Sequence, residues 1–319
     1  LYIAATEDET RVRVELQHAR AALLQRMAEG KDAGLRESDF PEIEIRRLPP
    51  LRAPLHLADA DHSLMYLPHP YVVPGPRFNE MYNWDTAFVI RGLLQDEKFD
   101  LAKAQVENMF YQIEHYGTIL NGNRTYYYDS GKSRSQPPLH TGKILGIYNN
   151  YHRLRVTPKE NKIDWLKRAL RASETYYRHW ITPPHIHAES GLSMYNSDLD
   201  YPAFEVTHGE REHYEKALKL FGGMYEKQSA IGWDMSVLPP LDYQDRKDRY
   251  YLEQYYIPAT ADSPHRLSPA FYRGDRAMRE TGFDPSRRFG FFNVDVINYL
   301  PVCLNALRHK IEREMGVMY

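Results

Sequence analysis

Hydrophobic side chains recur every three or four residues along several stretches of the chain, which is the spacing of one face of an α-helix. The clearest stretch covers residues 163–180, and Pro183 and Pro184 end it. A possible capping box of Thr6 and Glu9 begins an earlier helix that reaches about residue 27. Strand-like alternation is scarce, so the pattern predicts an all-α fold. The same spacing predicts further helices over residues 106–113, 144–154, 210–225 and 304–315, and another helix begins after residue 85.

Two segments break this pattern. Residues 30–80 contain many prolines, which do not sustain long helices. Residues 234–268 are rich in Asp, Arg and Tyr but poor in aliphatic side chains. We therefore predict one domain over residues 1–319, with an N-terminal helix and extended segment over about 1–80 and a lid-like loop over about 234–268.

Composition narrows the possible partners. The chain has 41 Lys and Arg against 43 Asp and Glu, so it has no excess positive charge to attract nucleic acid or an anionic membrane. No apolar run approaches the roughly 18 residues of a membrane span. Cys303 is the single cysteine, which excludes an internal disulfide, and its apolar surroundings predict a core position. We expect a soluble protein of the cytoplasm or periplasm; the sequence does not determine its oligomeric state.

Two stretches resemble cofactor-binding motifs, but each lacks a residue that its motif requires. Gly131, Lys132 and Ser133 imitate the end of a phosphate-binding loop, but Tyr126 stands where that loop begins with glycine. His185 and His187 could offer two metal ligands, but no third ligand is spaced for them, so we expect surface histidines in a turn. The sequence therefore predicts neither a metal nor an organic cofactor.

Two polar clusters in predicted loops could carry chemistry. Residues 74–85 present Arg77, Trp84 and Asp85, a combination that suits a neutral polyol because a ring stacks on its apolar face while charged groups bond its hydroxyls. A surface ion pair at a helix entry explains this spacing equally well. Amides, guanidinia and tyrosines recur over residues 121–127 and 134–138, and we interpret the two clusters as one site.

A third cluster covers residues 280–289. Asp284 follows Gly282 and Phe283 and precedes Pro285, an irregular aromatic setting that can desolvate a carboxyl and raise its pKa for general-acid work. The commoner interpretation of such a spacing is a simple turn capped by Pro285.

Together the clusters resemble the trehalase family of inverting glycoside hydrolases. Its signature P-G-G-R-F-x-E-x-Y-x-W-D matches residues 74–85 except at Pro76, and its N-G-N-R-x-Y-Y and R-S-Q-P-P blocks match residues 121–127 and 134–138 with an insertion between them. Its S-G-W-D-x-S-x-R block resembles residues 281–287. Its R-P-E triplet is matched only by Glu205, since Ala203 replaces the arginine.

The resemblance implies an (α/α)6 toroid, incomplete in this chain, with Asp284 as general acid. Asp234, in a similar G-W-D-x-S stretch, is the second choice. The family's catalytic base follows a Q-W-D-x-P-x-G-W-x-P block that does not occur here, so no base is identifiable in this chain. The implied sugar-binding residues are Arg77, Phe78, Trp84, Asp85, Asn121, Arg134, Gln136, Glu205 and Gly282.

The function that the resemblance implies is hydrolysis of trehalose to two glucoses with inversion, without a cofactor. Two alternatives stay open. One is an α-glucosidase acting on another small glucoside such as glucosylglycerate, because the insertion and the missing arginine fall where a second group would be recognised. The other is a catalytically inactive protein that binds glucose or trehalose, because the base is not found.

Overall fold

The protein folds into a mainly helical structure, which confirms the all-α prediction. The computed structural model describes residues 1–31, 34–40, 42–50, 62–128, 133–210, 212–231, 243–283 and 287–319. Two short strand pairs occur within these ranges: β1 (Tyr2–Ile3) runs parallel to β2 (Arg46–Arg47), and β3 (Tyr256–Ile257) runs antiparallel to β4 (Arg266–Leu267). The helices are α1 (Glu9–Ala28), α2 (Asp85–Gln95), α3 (Phe99–Tyr116), α4 (His140–Asn149), α5 (Lys162–Ile181), α6 (Phe204–Gly209), α7 (Glu212–Ile231), α8 (Tyr243–Tyr255), α9 (Pro269–Glu280) and α10 (Val302–Met318).

The strongly periodic stretches form helices as predicted, but local polar chemistry moves some boundaries. Helix α1 is capped by Asp8, whose carboxylate accepts hydrogen bonds from the backbone N–H groups of Thr10 and Arg11 at 2.9 and 3.3 Å, rather than by a Thr6 capping box. Helix α4 ends at Asn149, so the predicted stripe over residues 144–154 extends beyond the helix into a 3₁₀ turn.

The predicted lid-like loop over residues 234–268 is wrong for residues 243–255, which form α8; residues 232–242 lie outside the described ranges. The helix forms because Tyr251, Leu252 and Tyr255 bury one face against α7 and α9. Tyrosine provides much of this apolar face, so a pattern based on aliphatic residues misses it.

Helix packing brings the ends of several elements to one region. Helices α2, α3, α4, α5 and α10 surround the largest core, where Trp165 and Trp180 are fully buried. Helices α7, α8 and α9 enclose a second core, and Met278 near the end of α9 also contacts the first. The chain that leaves α9 therefore runs beside the loops that precede α2 and α4.

Two surface properties follow from the same packing. Cys303 is exposed near the beginning of α10, so the predicted core position is wrong. No helix in the ranges given above combines the length and apolarity that a membrane crossing requires.

Candidate active site

The first wall of the site is the chain that enters α2. The backbone N–H of Asn83 donates to the carbonyl oxygen of Asn121 at 3.0 Å, and that of Trp84 donates to the Oε1 atom of Gln136 at 3.0 Å. These two hydrogen bonds satisfy backbone donors at the beginning of the helix. They also join the first sequence cluster to the second, which lies about 40 to 50 residues further along the chain.

The second wall consists of two adjacent loop segments. The backbone N–H of Asn121 donates to the carbonyl oxygen of Arg134 at 2.8 Å, and that of Arg134 donates to the carbonyl oxygen of Tyr127 at 3.0 Å. The side-chain amide of Asn121 then donates to the carbonyl oxygen of Arg279 at 3.2 Å. The end of α9 is thereby fixed beside the second cluster.

Gly282 closes the site after α9. Its φ is +68°, and a Cβ atom at this position would lie 2.9 Å from the Cζ2 atom of Trp84. An L-residue rarely adopts this φ, and an ordinary contact begins at about 3.4 Å. Glycine therefore allows the backbone to contact the indole directly.

The three walls enclose a cavity of about 410 Å³. Asp284 and the second choice, Asp234, lie outside the described residues, so their catalytic roles stay predictions. The nine sugar-binding residues predicted from the sequence all line the cavity, although their roles toward a ligand also stay predictions: Arg77, Phe78, Trp84, Asp85, Asn121, Arg134, Gln136, Glu205 and Gly282. Further lining residues are Pro74, Glu80, Tyr82, Tyr126, Tyr127, Glu210 and Arg279.

Two arginines converge on one carboxylate at the cavity wall. Arg134 forms an ion pair with Glu205, and an Nη atom of Arg279 lies 3.5 Å from the same carboxylate. Arg279 also pairs with Glu210 and Asp275, each at 3.2 Å, which fixes its position. Arg279 lies outside the residues predicted from the sequence, although its position in the last turn before Gly282 is a signal that could have indicated it. Arg279 provides a guanidinium beside Glu205, where Ala203 leaves the family's R-P-E triplet without its arginine.

Both partners in this ion pair have unused hydrogen-bonding capacity. Nε of Arg134 and Oε2 of Glu205 are buried, and neither has a hydrogen-bond partner within the described part of the chain. Burial lowers the pKa of Arg134, but Glu205 and Tyr127 more than offset this effect, so its pKa is raised. Buried polar atoms without partners are uncommon in folded proteins. Both residues line the cavity, and a charged pair in a cavity wall suits the hydroxyl groups of a polar ligand.

A second pair of charged groups lies beneath the entry to α2. Burial raises the pKa of Asp85, and Lys143 opposes this effect. Burial lowers the pKa of Lys143 to about 7, against the influence of Asp85. The Nζ atom of Lys143 donates to the backbone oxygen of Asn83 and to its Oδ1 atom, the latter at 3.0 Å. The ammonium group therefore supports the turn that presents Trp84 and Asp85.

The expectation of two surface histidines in the turn after α5 is wrong for His185. Its side chain is buried, and its Nε2 atom lies 2.8 Å from the Oε2 atom of Glu280. His187 instead forms a local hydrogen bond with Ser190 at 2.9 Å. Neither histidine lines the 410 Å³ cavity.

Comparison with known proteins adds an independent view of this arrangement. The sequence profile of the family described as "Trehalase" matches residues 51–319. A "Probable trehalase" from Saccharomyces cerevisiae is 33% identical over 251 residues, which is 78% of this chain and 27% of that protein. A "Cytosolic neutral trehalase" from Emericella nidulans is 34% identical over 249 residues, which is 77% of this chain and 28% of that protein.

A solved structure shows the same fold. The chain matches "Neutral trehalase Nth1 from Saccharomyces cerevisiae" with a TM-score of 0.64 and 24% sequence identity, covering 99% of this chain and 52% of that one. The chain spans less than a third of the length of the curated relatives described above.

Proposed function

Because the chain belongs to the trehalase family, we propose that its cavity binds trehalose and serves the hydrolysis of the α-glucosidic bond with inversion. The observation that carries the proposal is the Arg134–Glu205 ion pair in the wall of the 410 Å³ cavity. The names of the relatives supply the substrate class.

The cavity offers complementary groups for one glucosyl unit. Trp84 provides an apolar surface on which the carbon–hydrogen face of a sugar ring can stack. Arg134 would donate to a hydroxyl oxygen, while Glu205 and Asp85 would accept from hydroxyl groups. A volume of about 410 Å³ lies within the range of about 300–1,000 Å³ that is usual for small-molecule sites.

In the proposed reaction, the Asp284 carboxyl transfers its proton to the glycosidic oxygen as the bond from that oxygen to the anomeric carbon breaks. A water molecule attacks the anomeric carbon from the opposite face and gives a proton to a second carboxylate. The two carboxyl groups of an inverting enzyme lie about 6.5–9.5 Å apart. The products are one β-glucose and one α-glucose.

Asp284 is our proposed acid because it follows Gly282, which lines the cavity and contacts Trp84. The second carboxylate is not assigned to any residue of this chain. The relatives are more than three times as long as the matched region, so the activity of a whole enzyme forms part of the proposal.

The test is to follow the anomeric protons of trehalose by NMR during the first minutes after the protein is added. Equal initial amounts of β- and α-glucose are expected. Asp284→Asn should lower turnover by about 10²- to 10⁴-fold with little change in substrate binding, since a general acid acts on the transition state. Asp262→Asn, at an exposed position outside the cavity, is the matched control.

Other results separate the alternatives. Initial formation of α-glucose alone would contradict inversion. Turnover of glucosylglycerate without turnover of trehalose would support the other glucosidase. Saturable trehalose binding without any glucose would support the inactive binding protein. Full activity in Asp284→Asn together with loss of activity in Asp234→Asn would move the acid to Asp234.

Compartment is a separate part of the proposal. The relative from Emericella nidulans is named cytosolic, and we place this protein in the cytosol on that similarity. Fractionation of the source cells tests this assignment, and recovery with periplasmic marker enzymes would contradict it.

A further inference from the structure

Three side chains that can bind metals converge outside the sugar cavity. The Nε2 atom of His179 lies 3.0 Å from Oε1 of Glu280, and the Nε2 atom of His185 lies 2.8 Å from Oε2 of the same carboxylate. The three candidate ligand atoms all lie within 4.8 Å of one another. Their side chains are 13%, 9% and 2% exposed, respectively, so the cluster is built into the fold.

Three separate elements hold these ligands in place. His179 lies near the end of α5, and Glu280 is the last residue of α9. The Pro183–Pro184 turn returns the chain so that the backbone N–H of His185 donates to the carbonyl oxygen of Thr182 at 2.8 Å. The ligands are therefore positioned by helix ends and a tight turn rather than by a long loop.

The three side chains offer one ligand atom each. Two imidazole nitrogens and one ionised carboxylate form the three-ligand set that zinc sites with an open fourth position use.

We propose that His179, His185 and Glu280 bind one Zn²⁺ ion or a divalent transition metal of similar ligand preference. Tetrahedral ligands that lie about 2.0–2.2 Å from zinc are separated from one another by about 3.4 Å. Metal binding therefore requires the hydrogen-bonded N···O distances of 2.8 and 3.0 Å to lengthen by about 0.4–0.6 Å, and the widest separation among the ligand atoms, which is within 4.8 Å, to shorten toward the same value.

Metal binding also requires a change of histidine tautomer and a path for the ion. Each imidazole now turns an Nε2 hydrogen toward the carboxylate, because an ionised carboxylate only accepts. Ligation needs that hydrogen on Nδ1 instead, a tautomer of the same neutral ring. A cleft of about 550 Å³, lined also by Asn196 and Asp198, leads to the three ligands and has room for a water molecule as the fourth ligand.

The cluster is also joined to the sugar cavity. Oε1 of Glu280 accepts a hydrogen bond from the backbone N–H of Ser135 at 3.0 Å, and Ser135 lies between Arg134 and Gln136. Glu280 also lies two residues before Gly282. A metal ion bound to Oε1 of Glu280 should break its hydrogen bond with the backbone N–H of Ser135. Residues 134–136 should then be held less firmly, and trehalose should bind several-fold more weakly. This coupling rests on the proposed function, whereas metal binding does not.

The direct test uses the full 319-residue chain, treated with EDTA and titrated with ZnCl₂ in competition with a colorimetric chelator. One tight site per chain is expected. His179→Gln and His185→Gln should each lower the zinc affinity at least tenfold, since even loss of an outer partner of a metal ligand typically lowers affinity about 10- to 100-fold. Circular dichroism establishes that each variant is folded.

His187→Gln is the matched control, because His187 lies two residues from His185 and bonds to Ser190 instead. This variant should retain the tight site. Zinc affinity that is unchanged in both ligand variants, or equally reduced in the control, would overturn the proposal. So would X-ray absorption of the zinc-loaded protein that shows no imidazole ligands. Trehalose affinity that is independent of zinc, with the tight site present, would overturn only the coupling.

Discussion

Replacement of Gly282 by alanine tests whether the contact between the loop after α9 and the Trp84 indole organises the proposed trehalose-binding cavity. The substitution adds a single methyl group, so its effect can be derived from two local features. The backbone has a φ of +68°, and the new Cβ atom would lie 2.9 Å from Cζ2 and 3.0 Å from Cε2 of Trp84.

The two features contribute separately to stability. An L-residue in the left-handed region costs about 1–2 kcal/mol. Overpacking against a neighbouring side chain, here the half-buried Trp84, typically adds about 1–3 kcal/mol. Gly282→Ala should therefore lower the free energy of unfolding by about 2–5 kcal/mol and weaken trehalose binding by displacing the indole.

Gly191→Ala separates the two contributions. Gly191 has nearly the same φ, +65°, but a Cβ atom there would have no neighbour within 4 Å among the described residues. This variant should lose only the backbone component, about 1–2 kcal/mol, and retain its sugar affinity. Urea denaturation gives the stabilities, and calorimetric titration with trehalose gives the affinities.

The role of Trp84 is tested by repeating the Gly282→Ala substitution in a Trp84→Phe variant. Phenylalanine lacks the indole atoms that a Cβ atom at position 282 would contact. In this variant, Gly282→Ala should therefore destabilise the protein about as much as Gly191→Ala does. A coupling free energy of about 1–3 kcal/mol between the two positions is expected. If Gly282→Ala is no more destabilising than Gly191→Ala in either background, the reasoning is refuted.

Two further predictions concern charged groups at the cavity. Burial lowers the pKa of Lys143 from its ordinary value of 10.5 to about 7, so the unfolded chain binds more protons than the folded one between these values and stability should rise with pH in that window. Urea denaturation from pH 7 to 9 should show a shallower rise for Lys143→Met, and parallel curves would contradict the assignment. Arg279→Lys should weaken trehalose binding about tenfold or more, because lysine lacks the planar guanidinium that contacts Glu205, Glu210 and Asp275 together. Arg273→Lys, at an exposed position of the same helix, should bind trehalose normally in calorimetry, and equal affinities of the two variants would exclude a role for Arg279.

Several parts of the fold could be predicted because they depend on contiguous residues. Helix α5 follows from its regular apolar spacing, and it is capped by the local side chain of Asn161. Helix α8 was not predicted, because its buried face consists largely of tyrosines, and these are buried only by their contacts with α7 and α9. The same lack of context led to the wrong placement of Cys303 in the core, since an apolar stretch does not reveal which helix face is covered.

The candidate site divides in the same way. Residues 74–85 and 121–138 were recognisable because each motif is continuous along the chain, and local turns present its polar groups. Arg279 could not be paired with Glu205 from the sequence, because 74 residues separate them and only the packing of α9 brings them to 3.5 Å.

The cluster of His179, His185 and Glu280 shows most clearly what could not be predicted from the sequence. The sequence paired His185 with its neighbour His187 and found no third ligand, whereas the structure pairs His185 with Glu280, 95 residues away, and with His179. Short-range motifs thus determined the family resemblance, the helical class and most of the cavity lining. Helix packing alone decided which distant charges meet, because such contacts depend on how buried apolar faces orient the helices and not on any spacing along the chain.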